Sequence, residues 1–142
     1  MPRRSEVTFL YLLKRAELAA KKRLEEVLER YDITAVQYAA LTSLERHPGL
    51  TAAALARHSF VTAQTTAQLV RGLESLGLIV RERDPNSKRQ VLLALSPAGR
   101  DLLDEIRGPV REIEQRMTAS VDAGQLEQLR VVLESIRVAV EP

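Results

Sequence analysis

One change of hydrophobic period most constrains how this chain can fold. Apolar residues keep a helical spacing up to Gly77, which stops the pattern as glycine commonly does just past a helix end. Leu78–Arg83 and Gln90–Leu95 are then strand-like, and Asp84–Lys88 between them is dense in turn formers. The helical spacing returns after this pair of strands. The chain is therefore predicted to be mainly α-helical, with one small β-hairpin inserted between helices.

Capping residues mark where several of the helices begin. Thr34 with Gln37, and Asp122 with Gln125, are capping boxes, in which each side chain accepts a hydrogen bond from the other's backbone N–H. Gly108-Pro109 lies in the middle of the fifth helix and is expected to kink or interrupt it. The six helices are predicted at about Ser5–Arg30, Thr34–Arg46, Thr51–His58, Ala63–Leu76, Ser96–Met117 and from Asp122 onward. The linker between the third and fourth helices is Ser59-Phe60-Val61.

The order of these elements predicts a winged helix-turn-helix. A short helix, a tight turn and a second helix form the helix-turn-helix, and the hairpin that follows forms the wing. We expect a single domain over residues 1–142, in which residues 34–96 are the DNA-binding lobe. Residues 1–33 and 97–142 are expected to form a helical dimerisation region, because their apolar stripes are wider than a small lobe could cover. The apolar residues of the last helix are Leu126, Leu129, Leu133, Ile136 and Val140.

The second helix of a helix-turn-helix normally lies in the major groove of DNA. Here that helix follows the capping residue Thr62, and its expected outward face is polar, then basic: Gln64, Thr65, Gln68 and Arg71. Glutamine can form a bidentate contact with adenine, and threonine can contact base edges, whereas Arg71 is expected at phosphate. An ordinary polar surface helix explains this face equally well when the helix is taken alone. The residues expected to pack inward are Val36, Leu41 and Leu44 of the second helix and Thr66, Leu69, Leu73 and Leu76 of the fourth.

Basic residues concentrate in the same part of the chain. Six basic and three acidic residues lie between Thr51 and Arg89, an excess of +3, whereas the rest of the chain carries −1. Four of these cations crowd the hairpin, where an arginine inserted into a narrow minor groove gains from its negative potential. We expect Arg89 to fill that role, with Asp84 as the orienting partner of Arg83 or Arg89. The candidate DNA-binding residues are Thr62, Gln64, Thr65, Gln68, Arg71, Arg83, Lys88 and Arg89.

A set of short motifs resembles the MarR family (multiple antibiotic resistance regulators). The motifs are Leu55-Ala56, Leu73–Arg81, Asp84–Arg89 and Val91–Gly99. The resemblance covers essentially the whole chain and implies a homodimer on a pseudo-palindromic operator, with the helix from Ala63 in the major groove and Arg89 in the minor groove. Family members often carry an acidic residue two positions before the wing-tip arginine. In this chain the residue at that position is Ser87.

The resemblance also implies regulation by a small aromatic or phenolic anion bound between the dimer helices and the DNA-binding lobe. Phe9, Arg15 and Tyr38 are candidates to line such a cleft, but Phe9 and Tyr38 are equally explained as core residues. The expected function is a sequence-specific regulator of transcription, a repressor released by its ligand. The alternative is a winged helix used for protein–protein contact without direct DNA readout.

Composition argues against other classes of function. The chain has no cysteine, its two histidines are isolated, and it lacks a glycine-rich phosphate loop, so we expect no enzyme activity, no metal and no cofactor. No apolar run approaches the roughly 18–20 residues that span a bilayer. The N-terminal residues carry charge and not the apolar core of a signal peptide. The expected location is the cytoplasm, without a membrane partner.

Overall fold

The computed structural model describes residues 7–59 and 61–142 and confirms the fold class. Within these residues the chain forms helices and one antiparallel sheet of two strands. The predicted helix start at Ser5 and the linker residue Phe60 lie outside the described residues. In chain order the elements are α1 Phe9–Glu29, α2 Ala35–Arg46, α3 Ala52–Ser59, α4 Ala63–Ser75, β1 Ile79–Arg83, β2 Val91–Leu95, α5 Pro97–Met117 and α6 Ala123–Val140.

Local capping chemistry places most of these helix ends. Both predicted capping boxes are present, at the start of α2 and at the start of α6. The start of α1 differs from the prediction, because Val7 and Thr8 are not helical and the Thr8 side chain accepts from the backbone N–H of Tyr11. Thr8 is therefore the capping residue, and α1 begins at Phe9.

The core lies inside the winged-helix lobe, where α2, α3, α4 and the hairpin pack against the end of α1 and the start of α5. Two residues predicted to point inward do not: Val36 is 41% exposed and Leu76 is 51% exposed. Leu76 caps the end of α4, where the chain turns away from the helical repeat, so the helical spacing no longer fixes its direction. The large side chains that are fully buried are Leu28, Leu41, Leu44, Leu55, Leu73, Leu93 and Ile106.

The hairpin is anchored to the lobe from two sides. Its strands pair in the register that sets Ile79 opposite Leu95, and both side chains are buried. The backbone N–H of Leu93 donates to the carbonyl of Leu50, at a distance of 2.7 Å, so β2 also pairs with the loop between α2 and α3. These contacts hold the base of the wing against the lobe, and the tip of the wing projects from this base.

The start of α5 packs directly on the backbone that leads into β1. The Ser96 hydroxyl donates to the carbonyl of Gly77 at 2.5 Å and accepts from the backbone N–H of Gly99 at 3.0 Å. The backbone N–H of Ser96 donates to the carbonyl of Leu78 at 3.0 Å. A Cβ atom on Gly99 would lie 2.1 Å from that same carbonyl oxygen. The two backbones can approach this closely because residue 99 has no side chain.

Helix α5 runs unbroken through Pro109, so the predicted interruption at Gly108-Pro109 is wrong. Proline has no backbone N–H and therefore cannot donate to the carbonyl of Glu105, one turn earlier. The hydroxyl of Tyr31 lies 3.4 Å from this carbonyl oxygen and donates to it. A side chain from the loop after α1 thus replaces part of the hydrogen bonding that proline removes.

Two apolar surfaces remain uncovered in the single chain. Along the first half of α1, Phe9 is 82% exposed and Leu10 is 80% exposed. Helix α6 has no buried residue at all, although it carries the predicted apolar face. Its exposed apolar residues include Leu129, Val132, Leu133, Ile136 and Val140. None of the described helices combines the length and the apolar character needed to cross a membrane.

Candidate nucleic-acid interface

Helix α4 turns the predicted polar face outward. Gln64, Thr65, Gln68 and Arg71 are all exposed, whereas Thr66, Leu69 and Leu73 are buried against the lobe. The buried residues follow each other at spacings of three and four, which places them on one side of a helix. The orientation of the helix about its axis is therefore set by the core and leaves the two glutamines available to a ligand.

Thr62 fixes the first turn of α4. Its hydroxyl oxygen accepts from the backbone N–H of Thr65 at 3.2 Å, and the same hydroxyl donates to the Thr65 hydroxyl at 3.0 Å. The Thr66 hydroxyl donates to the backbone carbonyl of Thr62 at 2.8 Å. The Thr65 hydroxyl can still donate its own proton outward. Thr62 therefore orients the helix start, where unpaired backbone N–H groups and the helix dipole favour a phosphate.

The tip of the wing is a compact hydrogen-bonded turn. The Asp84 N–H donates to the carbonyl of Gln90, and the Ser87 N–H donates to the carbonyl of Asp84. The Asp84 carboxylate accepts from the backbone N–H of Asn86 at 2.9 Å. An Asx turn of this kind stabilises the backbone where a tight loop needs it. Asp84 thus organises the turn that presents the basic side chains.

The expected pairing of Asp84 with a wing arginine is not present. Among residues 7–59 and 61–142, Asp84 forms no ion pair with Arg83 or Arg89, and one oxygen of its carboxylate accepts from the backbone of the turn. With Ser87 at the position of the family's acidic residue, Arg89 has no acidic partner within the described part of the chain. The candidate cations Arg83, Lys88 and Arg89 are all exposed.

Arg81, the fourth basic residue of the hairpin, has a different role. Its guanidinium donates to the Glu74 carboxylate from Nε at 2.9 Å and from a terminal nitrogen at 2.8 Å. This hydrogen bond and the charge of Glu74 raise the pKa of Arg81 above its usual value. The pair ties β1 to the last turn of α4, so it couples the wing to the reading helix. Sequence spacing gave no signal for this contact, because the two residues meet across the turn at Gly77.

A cavity of about 260 Å³ lies between α2 and α5, beside the lobe. It brings together Tyr38, named above as a cleft candidate, with Arg107 and Arg111. The other two candidates lie elsewhere: Phe9 is exposed, and the Arg15 guanidinium lies 5.8 Å from the centre of the Tyr11 ring. Arg107 joins the two helices, because it donates to Glu45 of α2 at 2.9 Å and to Asp104 of its own helix at 3.2 Å.

Tyr38 faces this α2–α5 cavity as a hydrogen-bond donor. Burial of the ring, followed by the negative charge of Glu114, raises the pKa of Tyr38 above 10.0. The phenol is therefore protonated at neutral pH and can donate to an anion. The charged lining of this cavity consists of two guanidinium groups, of Arg107 and Arg111, and two carboxylates, of Glu45 and Glu114.

Comparison with known proteins identifies the family. A family model described as MarR family matches residues 31–90, which span α2 to the tip of the wing. Over 126 residues the chain is 30% identical to the HTH-type transcriptional repressor Rv2887 of Mycobacterium tuberculosis H37Rv, covering 89% of this chain and 91% of that protein. The chain belongs to the MarR family. The resemblance inferred from the short sequence motifs is thereby confirmed.

Solved structures place the same fold in a DNA-binding context. The MarR-family chain superposes on S. aureus MepR in its DNA-binding conformation with a TM-score of 0.85, at 27% identity, covering 95% of this chain and 100% of that one. The MepR–DNA complex matches with a TM-score of 0.82 at 28% identity and the same coverage. The likeness extends over both the lobe and the flanking helices of this MarR-family chain.

Proposed function

We propose that this chain is a homodimeric, sequence-specific DNA-binding regulator that represses transcription and is released by a small anionic ligand. The observation that carries the proposal is one lobe on which the exposed polar face of α4 stands beside three exposed wing cations. Membership of the MarR family and similarity to a protein named as a transcriptional repressor support it. We assign no enzyme activity to it and expect it to act in the cytoplasm.

The candidate DNA-binding residues divide by chemistry. Gln64, Thr65 and Gln68 have hydrogen-bonding groups suited to base edges in the major groove. Arg71 carries its charge further along the helix, where a phosphate strand would pass. In the wing, Arg89 enters the minor groove, whereas Arg83 and Lys88 contact phosphates. Thr62 holds the first turn of α4, and the N-terminus of this helix binds a phosphate of the DNA backbone.

Dimerisation supplies the second half of the interface. The uncovered faces of α1 and α6 lie on the flanking helices and not on the lobe, so pairing through them leaves α4 and the wing exposed. A two-fold dimer would hold two α4 helices for successive major grooves, about 34–36 Å apart. Its two equal lobes predict an operator with inverted half-sites.

The α2–α5 cavity provides a route to release. Arg107 pairs with Glu45 at a distance of 2.9 Å. A carboxylate or phenolate bound by Tyr38 and Arg111 would compete with Glu45 for Arg107. Loss of that ion pair would loosen α2, which belongs to the lobe, from α5, which belongs to the proposed dimerisation region. We therefore place the effector, a small aromatic or phenolic anion, in this cavity.

Selection of bound duplexes from a random DNA pool tests the central proposal. The expected result is one enriched sequence with two inverted half-sites, whose centres are about 10 base pairs apart. Repeating the selection with small aromatic acids should reduce the bound fraction if the α2–α5 cavity regulates binding. Recovery of no enriched sequence, with a protein that is folded and dimeric, would contradict the proposal and favour a protein–protein module.

Arg89→Ala should weaken binding to all duplexes by a similar factor. The loss of a groove-inserted charge removes counterion release, so the slope of log affinity against log salt concentration should fall by about 1 per lobe. Fluorescence anisotropy titrations between low and high salt measure both quantities. Lys22→Ala, which removes one exposed charge from α1, is the matched control and should leave the slope unchanged. An identical slope for Arg89→Ala and the unaltered protein would remove Arg89 from the interface.

Gln64→Ala should instead change which sequence is preferred. A bidentate glutamine–adenine contact contributes about 1–3 kcal/mol of discrimination at one base pair, so that single position of each half-site should become degenerate. Selection with the variant measures this directly. Gln115→Ala on the exposed surface of α5 serves as the control and should retain the original site. Identical enriched sites for Gln64→Ala and the unaltered chain would show that Gln64 reads no base.

A further inference from the structure

A second, larger cavity of about 870 Å³ lies between the winged-helix lobe and the second half of α6. We call it the α6 cavity. None of the residues that line it belongs to the DNA-reading surface or to the α2–α5 cavity. Its lobe wall consists of Arg46, His47, Arg57 and His58, and its α6 wall consists of Glu134, Arg137, Val140 and Glu141.

The lobe wall carries positive charge that is not neutralised locally. Arg46 lies in the last turn of α2 and Arg57 in the last turn of α3, and both side chains are exposed. Neither forms an ion pair within residues 7–59 and 61–142. Helix C-termini attract basic side chains through the helix dipole, but this attraction leaves the guanidinium groups open to an anion. Two arginines that converge on one cavity therefore favour a ligand with a compact negative charge.

Two imidazole rings of the same wall stack on each other. The ring centres of His47 and His58 are 4.5 Å apart, with an angle of 30° between their planes. This contact joins the residue that caps α2 to the last turn of α3. Histidine rings are among the side chains on which planar bases stack in nucleic-acid complexes. Because both histidines are exposed, a planar ring of a ligand can lie on an outer face of the stacked pair while its charged group reaches the arginines.

The opposite wall offsets only part of this positive charge. Arg137 donates to Glu134 at 2.5 Å and also to Glu141, the residue that follows α6, so both carboxylates of this wall share one arginine. The hydrogen bond from Arg137 holds the pKa of Glu134 below its usual value. One guanidinium is shared by two carboxylates, so the α6 wall keeps an excess of one negative charge against the two positive charges of the lobe wall. The charged lining as a whole is therefore positive by one, and neither Arg46 nor Arg57 is paired with a carboxylate of the α6 wall.

We propose that the α6 cavity binds a phosphorylated small molecule, with its phosphate between Arg46 and Arg57 and a planar ring against the His47–His58 pair. The planar fork of arginine matches phosphate oxygens in pairs, which makes it a strong phosphate binder. The cavity is also of the size that takes small organic ligands and is larger than a single ion requires. A bound molecule would contact both the lobe and α6. That it changes the affinity for DNA rests on the proposed function, whereas the proposal that it binds in the α6 cavity does not.

The test uses the full chain and three probes: adenosine 5′-monophosphate, adenosine and inorganic phosphate. Histidine ring resonances in NMR spectra report binding at His47 and His58, the two histidines of the sequence. The expected result is a saturable shift of both rings with the monophosphate, a weaker one with phosphate, and none with adenosine. Arg46→Gln/Arg57→Gln should weaken monophosphate binding by about tenfold or more, because two charge-assisted contacts are lost. The control Arg30→Gln/Arg100→Gln removes the same charge from exposed sites elsewhere and should bind as the unaltered chain does.

Three outcomes would overturn the proposal. The first is a response to the monophosphate no larger than that to sodium chloride at matched ionic strength. The second is equal affinity in the Arg46→Gln/Arg57→Gln variant, with circular dichroism showing that it is folded. The third is a shift of the histidine rings that requires duplex DNA and is absent with the free monophosphate, which would assign the cavity to the DNA footprint. Failure of DNA selection without failure of monophosphate binding would contradict the proposed function alone.

Discussion

Gly99→Ala is expected to lower the free energy of unfolding by at least about 3 kcal/mol, at or beyond the upper end of ordinary overpacking. The new Cβ would lie 2.1 Å from the carbonyl oxygen of Leu78 and 3.1 Å from its carbonyl carbon. That carbonyl cannot move aside easily, because it accepts the backbone N–H of Ser96 at 3.0 Å. Relief therefore requires the start of α5 to separate from the strand entry, which breaks the contacts of Ser96 with Gly77 and Gly99.

The matched control is Gly72→Ala, the same substitution inside α4. There the nearest atom to the new Cβ is the side-chain nitrogen of Gln37 at 3.7 Å, an ordinary contact distance. Alanine is favoured over glycine inside a helix by about 0.5–1 kcal/mol, so this variant should be slightly more stable. Urea denaturation followed by circular dichroism measures both changes. Equal midpoints for Gly99→Ala and the unaltered chain would show that the α5 start shifts without cost.

Local rules predicted most of the fold. The capping boxes at Thr34 and Asp122 act within one helical turn, so their residues alone determine the hydrogen bonds that form. The burial of Leu69 and Leu73 followed from spacing, because an amphipathic helix has one side to bury. The same spacing predicted that the glutamines of α4 are exposed, because they do not lie on the side of the helix that is buried. The family followed from motifs spread along the chain.

Contacts between distant residues were not predictable in this way. The pairing of Arg81 with Glu74 depends on how tightly the chain turns at Gly77, which positive φ at that residue permits. The carbonyl of Glu105, which Pro109 leaves without a helical donor, accepts a hydrogen bond from Tyr31, a residue far away in sequence. Asp84 illustrates the opposite error, since a nearby carboxylate was expected to pair with arginine but satisfies the turn backbone instead. In each case the tertiary geometry selects among partners that the sequence leaves equivalent.

Leu133→Glu/Ile136→Glu is expected to abolish dimerisation and to lower the affinity for a two-half-site operator by about 10²–10⁴-fold, the usual gain from linking two binding modules. Leu133 is 43% exposed and Ile136 is 37% exposed in the single chain, so neither contributes much to the fold of one subunit. Both lie on the apolar face of α6, which buries no residue without a partner. Two carboxylates on this face would have to be desolvated at a dimer interface without a counterion.

Gln128→Glu introduces the same kind of charge in α6 at an exposed position outside the apolar face and should remain a dimer. Sedimentation velocity measures the assembly state, and circular dichroism separates loss of dimer from loss of fold. The decisive comparison is between operators with one and with two half-sites. A monomeric variant should bind both with similar affinity, because each lobe retains its own α4 and wing, whereas the unaltered chain should prefer two half-sites strongly. If the Leu133→Glu/Ile136→Glu variant still sediments as a dimer, the interface must lie away from the apolar face of α6, and the arrangement of the two reading helices must be derived from another surface.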